Sequence, residues 1–200
     1  MASSLRSLKI AARTCRNCPL WAHATQTVFG AGNPHACVIL VGEQPGDEED
    51  RKGLPFVGPA GRLLDKALEA AKVDRDNLYV TNAVKHFKWQ LRGKRRLHKT
   101  PAQREIAACH PWLEGEIAAI APQVIGCLGA TAARAVIARD FKVTLMRGRF
   151  VESPLAPYVF ATLHPSALLR LREDEEREAA FKQLVKDLRL IRRAIATPRP

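Results

Sequence analysis

Four short runs of unbroken apolar, largely β-branched residues constrain this chain more than any other feature. They lie at 37–41 (CVILV), 78–84 (LYVTNAV), 123–128 (QVIGCL) and 158–163 (YVFATL). Hydrophobicity that continues instead of alternating marks strands covered on both faces, the habit of a parallel sheet. Helical periodicity separates the runs. At 60–72, AGRLLDKALEAAK puts Leu63, Leu64, Ala67, Leu68 and Ala71 on one face. A second helix opens on Thr100-Pro101-Ala102-Gln103, a capping box with proline at the first helical position, and its apolar face runs Ile106, Cys109, Leu113, Ile117, Ile120. The last helix, about 174–196, buries Phe181, Leu184, Val185, Leu188 and Ile191, and VTLMRGRFVES reads as a small β-hairpin around Arg147-Gly148. This alternation predicts an α/β fold, a three-layer α/β/α sandwich around a central four-stranded parallel sheet. One domain spans 1–196, with 197–200 as a frayed tail.

In such sheets ligands bind beyond the carboxyl ends of the strands. Here those ends read Gly42-Glu43-Gln44-Pro45-Gly46-Asp47, then Asn82, then Gly129-Ala130-Thr131, then His164-Pro165-Ser166. Each is ordinary alone: a Gly-Pro turn, an acidic DEED that caps a helix, an asparagine that favours turns, a histidine that bonds nearby backbone. Carboxylate, amide, hydroxyl and imidazole converging on one rim predict an active site.

The charge is uneven. Against 20 acidic residues stand 32 Lys and Arg, for a net +12, and KHFKWQLRGKRRLHK at 85–99 carries seven cations and no acid. Phe87 and Trp89 interleave them, so the run predicts a polyanionic partner, nucleic acid foremost. Within it Lys94, Arg95, Arg96 and Lys99 crowd His98, which on composition alone reads as a phosphate contact. No apolar run approaches the roughly 18 residues that cross a bilayer, and no secretory segment is visible, so a soluble, cytoplasmic monomer without a membrane partner is expected. No acid precedes Glu43, leaving two readings of the basic start, a transit peptide or a surface helix of the domain; the helix is expected. Five cysteines, an odd number, argue against a disulfide framework. Cys37 and Cys127 fall in strand-like runs and are expected in the core. Cys15 and Cys18 form CRNC, a metal-type spacing, and Cys109 is left over.

GEQPGDEED, GLPFVGPAGRLL, YVTNAVKH, VIGCLGATAA and TLHPSALLR, in that order, resemble the motif series of the family-4 uracil-DNA glycosylases. The glutamine of GEQPG and the KRRLH loop resemble its X-type branch (UdgX). The resemblance implies that Asn82 reads uracil O4 and N3–H, that Phe56 stacks on the base, and that His164 donates to O2 as charge develops. Gly42, Gln44 and the backbone around Gly46 would line the base, with Glu43 and Asp47 serving the chemistry. Lys94, Arg95, Arg96, Ser166 and Arg170 would hold DNA, and Leu168 or a neighbour would wedge the gap left by a flipped base. In the X-type branch the loop histidine, here His98, attacks C1′ and stays bonded, which needs an uncharged imidazole; the alternatives are a turnover hydrolase and a non-catalytic DNA-binding module. The same resemblance implies a [4Fe-4S] cluster on Cys15, Cys18, Cys109 and His86. Cys₃His also suits zinc, which spacing alone favours. The expected partner is uracil-containing DNA, single- or double-stranded.

Overall fold

The computed structural model describes residues 4–197; positions 198–200 of the expected tail fall outside them. The elements begin with α1 (Leu5–Ala12), β1 (Ala31–Gly32), β2 (Val38–Gly42), α2 (Asp47–Lys52), α3 (Pro59–Ala71) and β3 (Leu78–Asn82). Next come β4 (Trp89–Arg92), β5 (Arg95–His98), α4 (Gln103–Ile120), β6 (Val124–Leu128) and α5 (Ala130–Val136). The chain closes with α6 (Val143–Met146), β7 (Phe150–Val151), β8 (Tyr158–Thr162), α7 (Pro165–Leu168) and α8 (Asp174–Ile195).

β3, β2, β6 and β8 are parallel neighbours in that order, one for each apolar run. Successive side chains point to opposite faces, so Val38 and Leu40 enter one core layer and Ile39 and Val41 the other. The first layer holds Leu64 and Leu68 of α3 with Leu184, Leu188 and Ile191 of α8; the second holds Leu113, Ile117 and Ile120 of α4 with Ala132 and Ala133 of α5. The α/β/α sandwich is thus present, but its sheet has six strands, because antiparallel β1 and β7 extend the edges. Each is two residues long, too short for a sequence period.

Three local expectations are corrected. The hairpin around Arg147-Gly148 does not form: residues 143–146 make a helical turn, and Gly148 N donates to Ala161 O at 3.0 Å, drawing Phe150 and Val151 onto β8. α4 starts at Gln103 with Ala102 as its cap, and Glu105 supplies the carboxylate that accepts Ala102 N–H at 2.6 Å. Cys37 precedes β2 and is exposed, whereas Cys127 is buried.

At the amino end, α1 is capped by Ser4, whose Oγ accepts from Ser7 N at 3.2 Å, and it packs on α4 so closely that a side chain at Gly115 would meet Leu8. The basic segment is a two-stranded ribbon, with Trp89 opposite His98 and Arg92 opposite Arg95. Among the described residues no helix is long and apolar enough to cross a membrane.

Candidate active site

The carboxyl ends of the parallel strands open into a cavity of about 460 Å³, walled among others by Glu43, Phe56, Asn82, His98, His164 and Arg170. That volume suits a small-molecule or base-sized ligand. The cavity lies where the sheet order reverses, between β2, whose chain continues to β3 on one side, and β6 on the other. Glu43 and Thr131 face each other across this switch, and the Thr131 hydroxyl donates to Glu43 Oε2.

Glu43 Oε1 lies 3.2 Å from His98 Nε2. A carboxylate only accepts, so this contact places a proton on Nε2. Burial pushes the Glu43 carboxyl up, but hydrogen bonds from His98 and Thr131 and the nearness of His98 and His164 outweigh it, so the group stays ionised below the usual carboxylate range.

His164 caps α7. Its Nδ1 accepts from Ser166 N at 3.1 Å and lies 2.8 Å from Ser166 Oγ, which in turn lies 3.1 Å from Arg170 Nη2. With Nδ1 accepting, the proton of the neutral ring is on Nε2. Burial, assisted by His98 and Arg170 against an opposing pull from Glu43, depresses its pKa to about 4. His164 is therefore a neutral donor near pH 7.

Asn82 ends β3 beside Gly42, and Phe56 sits across from both at a positive φ of 57°. A Cβ on Gly42 would fall 2.4 Å from Asn82 Oδ1 and 2.6 Å from Phe56 Cζ, so only glycine permits this approach. The Asn82 carboxamide makes no hydrogen bond to another described residue, although the residue is buried. Phe56 and His164 stack with ring centroids 6.3 Å apart. A flat slot with one free amide and one imidazole N–H is built for a planar heterocycle.

The ribbon that carries His98 is held by residues expected to have other tasks. Gln44 lines the cavity, but its Nε2 donates to Lys88 O and Lys99 O, each at 3.1 Å, and its Oε1 accepts from Lys88 N, so its amide is spent on the ribbon and not on a base. Arg96 turns inward: Nε meets Asp47 at 2.5 Å and Nη1 meets Asp50 at 2.7 Å, with the guanidinium above Phe87 and Trp89. Arg96, expected at a phosphate, is thus paired with two carboxylates, and Asp47, expected to serve the chemistry, lines the cavity while paired with Arg96 and Arg51. Lys94 and Arg95 remain exposed at the ribbon tip. Leu168 is buried to 1% in the core, whereas Leu169 is 47% exposed and lines the cavity, so the exposed leucine is the neighbour.

Residues 29–189 match the family model described as the uracil DNA glycosylase superfamily. This chain belongs to that superfamily. A type-4 uracil-DNA glycosylase of Thermotoga maritima is 37% identical over 175 residues, 87% of this chain and 88% of that protein. One of Sulfurisphaera tokodaii is 34% identical over 209 residues, 98% and 87%, and one of Archaeoglobus fulgidus is 35% identical over 179 residues, 86% of each.

The thiols of this superfamily member lie at the foot of the ribbon. Among the described residues no group of three or more His, Cys, Asp or Glu side chains converges tightly enough for a metal ion. A single zinc would need its donors about 3.8 Å apart, from Zn–S bonds near 2.3 Å in a tetrahedron. Cys15, Cys18 and Cys109 are nevertheless near enough to repel one another's thiolates. Cys15 Sγ accepts from Trp112 Nε1 at 3.2 Å and Cys109 Sγ from Lys85 N at 3.1 Å, the outer contacts that suit bound thiolates. His86 is more telling. Thr27 Oγ1 spends its proton on Ala12 O at 2.9 Å and so must accept from His86 Nε2, 3.0 Å away. The ring's lone pair is thereby fixed on Nδ1, which is buried and finds no partner among the described residues. An orphaned acceptor of this kind fits a metal-ligand role.

Sequence reasoning missed Thr27, Asp50 and the buried cluster of Lys85 with Glu116. In the sequence Lys85 is one of the seven cations of the basic run, and nothing in its neighbours distinguishes it from them.

Proposed function

We propose that this chain excises uracil from DNA and ends bonded through His98 to C1′ of the abasic sugar, as an X-type enzyme. Superfamily membership and the type-4 relatives support uracil-DNA glycosylase activity. The observation that carries the covalent step is the imidazole of His98 on the wall of the cavity that Asn82 and His164 also line, 3.2 Å from Glu43.

The chemistry follows from those groups. A flipped uracil lies on Phe56 and pairs its O4 and N3–H with the free carboxamide of Asn82. As the C1′–N1 bond breaks, its electron pair leaves on the base, and the His164 Nε2–H donates to the uracil oxygen that gains charge. The carboxylate of Glu43 faces the cationic sugar. A ring lone pair of His98 forms the new bond to C1′ as the C1′–N1 bond breaks, and the imidazole proton passes to Glu43 and from Glu43 to the departing uracil anion, so that one proton leaves the histidine and one reaches the base. Lys94, Arg95 and Arg170 contact phosphates, and Leu169 fills the gap in the stack. Cys15, Cys18, Cys109 and His86 would hold a [4Fe-4S] cluster, the donors being too spread for one zinc ion. When bound, the cluster supplies structural bonds that fasten the amino-terminal segment to the foot of the ribbon.

The test is incubation with an excess of uracil-containing oligonucleotide, followed by denaturing electrophoresis and mass spectrometry of the peptide spanning His98. One uracil released per chain and a heat-stable adduct at His98 are expected; His98→Ser should lose the adduct and release uracil with turnover. Many uracils per wild-type chain without an adduct would make water the nucleophile. Equal affinity for thymine and uracil DNA with no base released would reduce the protein to a binding module.

A further inference from the structure

Beneath Asn82 lies a fully enclosed ion pair that the reaction does not touch. Lys85 Nζ and Glu116 Oε2 are 2.5 Å apart, with side-chain exposures of 1% and 0%. The ammonium has three protons and three partners: Glu116, Thr81 Oγ1 at 2.6 Å and the main-chain oxygen of Asn82 at 2.8 Å. Glu116 is equally occupied, its Oε1 accepting from Tyr79 OH and Gly30 N, each at 2.9 Å, and its Oε2 from Thr81 Oγ1 at 2.8 Å. The main-chain N–H of Lys85 donates to Cys109 Sγ.

Such a pair is a poor device for stability, since apolar residues of similar volume fill a core as well or better. A network with every donor and acceptor matched is instead a device for geometry. What this one grips is the carboxyl end of β3: Tyr79, Thr81 and the Asn82 carbonyl. The Asn82 carboxamide has no hydrogen bond of its own within the described protein, so its aim depends on its peptide. We propose that Lys85, anchored by Glu116, is a positioning residue for Asn82 and thereby sets the choice of base. The reading rests on Asn82 reading the base, as proposed above. A carboxamide presents opposite hydrogen-bonding polarity when it turns over, and the edges of uracil and cytosine differ in that polarity. Holding the Asn82 peptide fixes where its Cα–Cβ bond points and so where the amide meets the base, whereas a displaced amide can present either polarity and loses the rejection of cytosine.

Two double variants test this without leaving a buried charge unpaired: Lys85→Met with Glu116→Leu, and Lys85→Gln with Glu116→Gln. Melting temperature, DNA affinity, and single-turnover release of uracil and of cytosine would be measured for each. The proposal expects folded proteins that bind DNA within about threefold of wild type. It expects uracil release to slow at least about tenfold, as for a misplaced reacting group, and the preference for uracil over cytosine to shrink by a similar factor. A purely structural role leaves that preference unchanged. A folded variant with wild-type rate and preference overturns the proposal, as does failure of both pairs to fold, which would make the pair a folding element only. Wild type that releases no uracil would sink the proposed function instead. The clamp would then be read from the side-chain amide NMR signal of Asn82, which must shift or broaden in the folded variant and overturns the assignment if it does not.

Discussion

Adding one methyl group at Gly42 should close the base slot. In Gly42→Ala the new Cβ falls 2.4 Å from Asn82 Oδ1, 2.6 Å from Phe56 Cζ and 3.2 Å from Phe56 Cε2, against an ordinary contact of 3.4 Å. Relief therefore needs a retreat of about 1 Å by the asparagine and about 0.8 Å by the phenylalanine. The Asn82 main chain cannot supply it, being registered against Gly42 in the sheet and held through its carbonyl by Lys85. Gly42 is not among the residues of positive φ, so the penalty is steric and not conformational. Overpacking of this kind costs about 1–3 kcal/mol of stability, or a few degrees in Tm for a domain of this length. A misplacement near 1 Å at a reacting group costs about a hundredfold in rate. The assay is single-turnover uracil release from a labelled oligonucleotide, with Tm and DNA affinity measured in parallel. A folded Gly42→Ala protein that binds DNA normally and releases uracil about a hundredfold more slowly is the expected result. Release within threefold of wild type would refute a base slot formed by Gly42, Asn82 and Phe56.

Two further outcomes follow from the histidines. Purified wild-type protein should carry iron and inorganic sulfide in equal amounts, His86→Ala should lose most of the iron, and Thr27→Val, which frees the tautomer, should weaken retention about 10–100-fold; iron unchanged in His86→Ala would remove His86 from the ligand set. His164, whose pKa falls to about 4 in the folded protein from an ordinary 6.5, binds fewer protons folded than unfolded between those values. Its contribution is full above pH 6.5 and is lost as pH falls toward 4, by at most about 3 kcal/mol. Urea unfolding at pH 7, 5 and 4 should show that slope in wild type and a shallower one in His164→Asn, and equal slopes would contradict the half-buried neutral ring.

The parts legible in the sequence are those governed by local periodicity. Val38–Gly42 or Val124–Leu128 can only be a doubly covered strand, and the faces of α3, α4 and α8 follow from apolar spacing. Once the strands are known, Glu43, Asn82, Thr131 and His164 must share a rim, because parallel strands end on the same side. The ribbon also has a signal in the sequence beyond its charge. Gly93-Lys94 sits between two four-residue strands, and a two-residue turn led by a glycine of positive φ, here 59°, is a favoured hairpin connection.

Other assignments could not be read along the chain. Arg95 and Arg96 are adjacent and chemically identical, yet one is solvated and the other is neutralised by Asp47 and Asp50, 49 and 46 positions away. Leu168 and Leu169 divide in the same way between core and cavity, and Lys85 looks like every other cation until Glu116 closes over it. By itself, then, the sequence determined the sandwich, its strand order of appearance and the rim of polar groups, because apolar spacing and strand direction are properties of neighbours along the chain. Only the tertiary structure decided which cations are exposed, which amides are engaged by other described residues and that His98 lines the cavity. Those answers depend on partners brought together across the sheet, and a buried charge or amide is defined by its partner and not by its position in the chain.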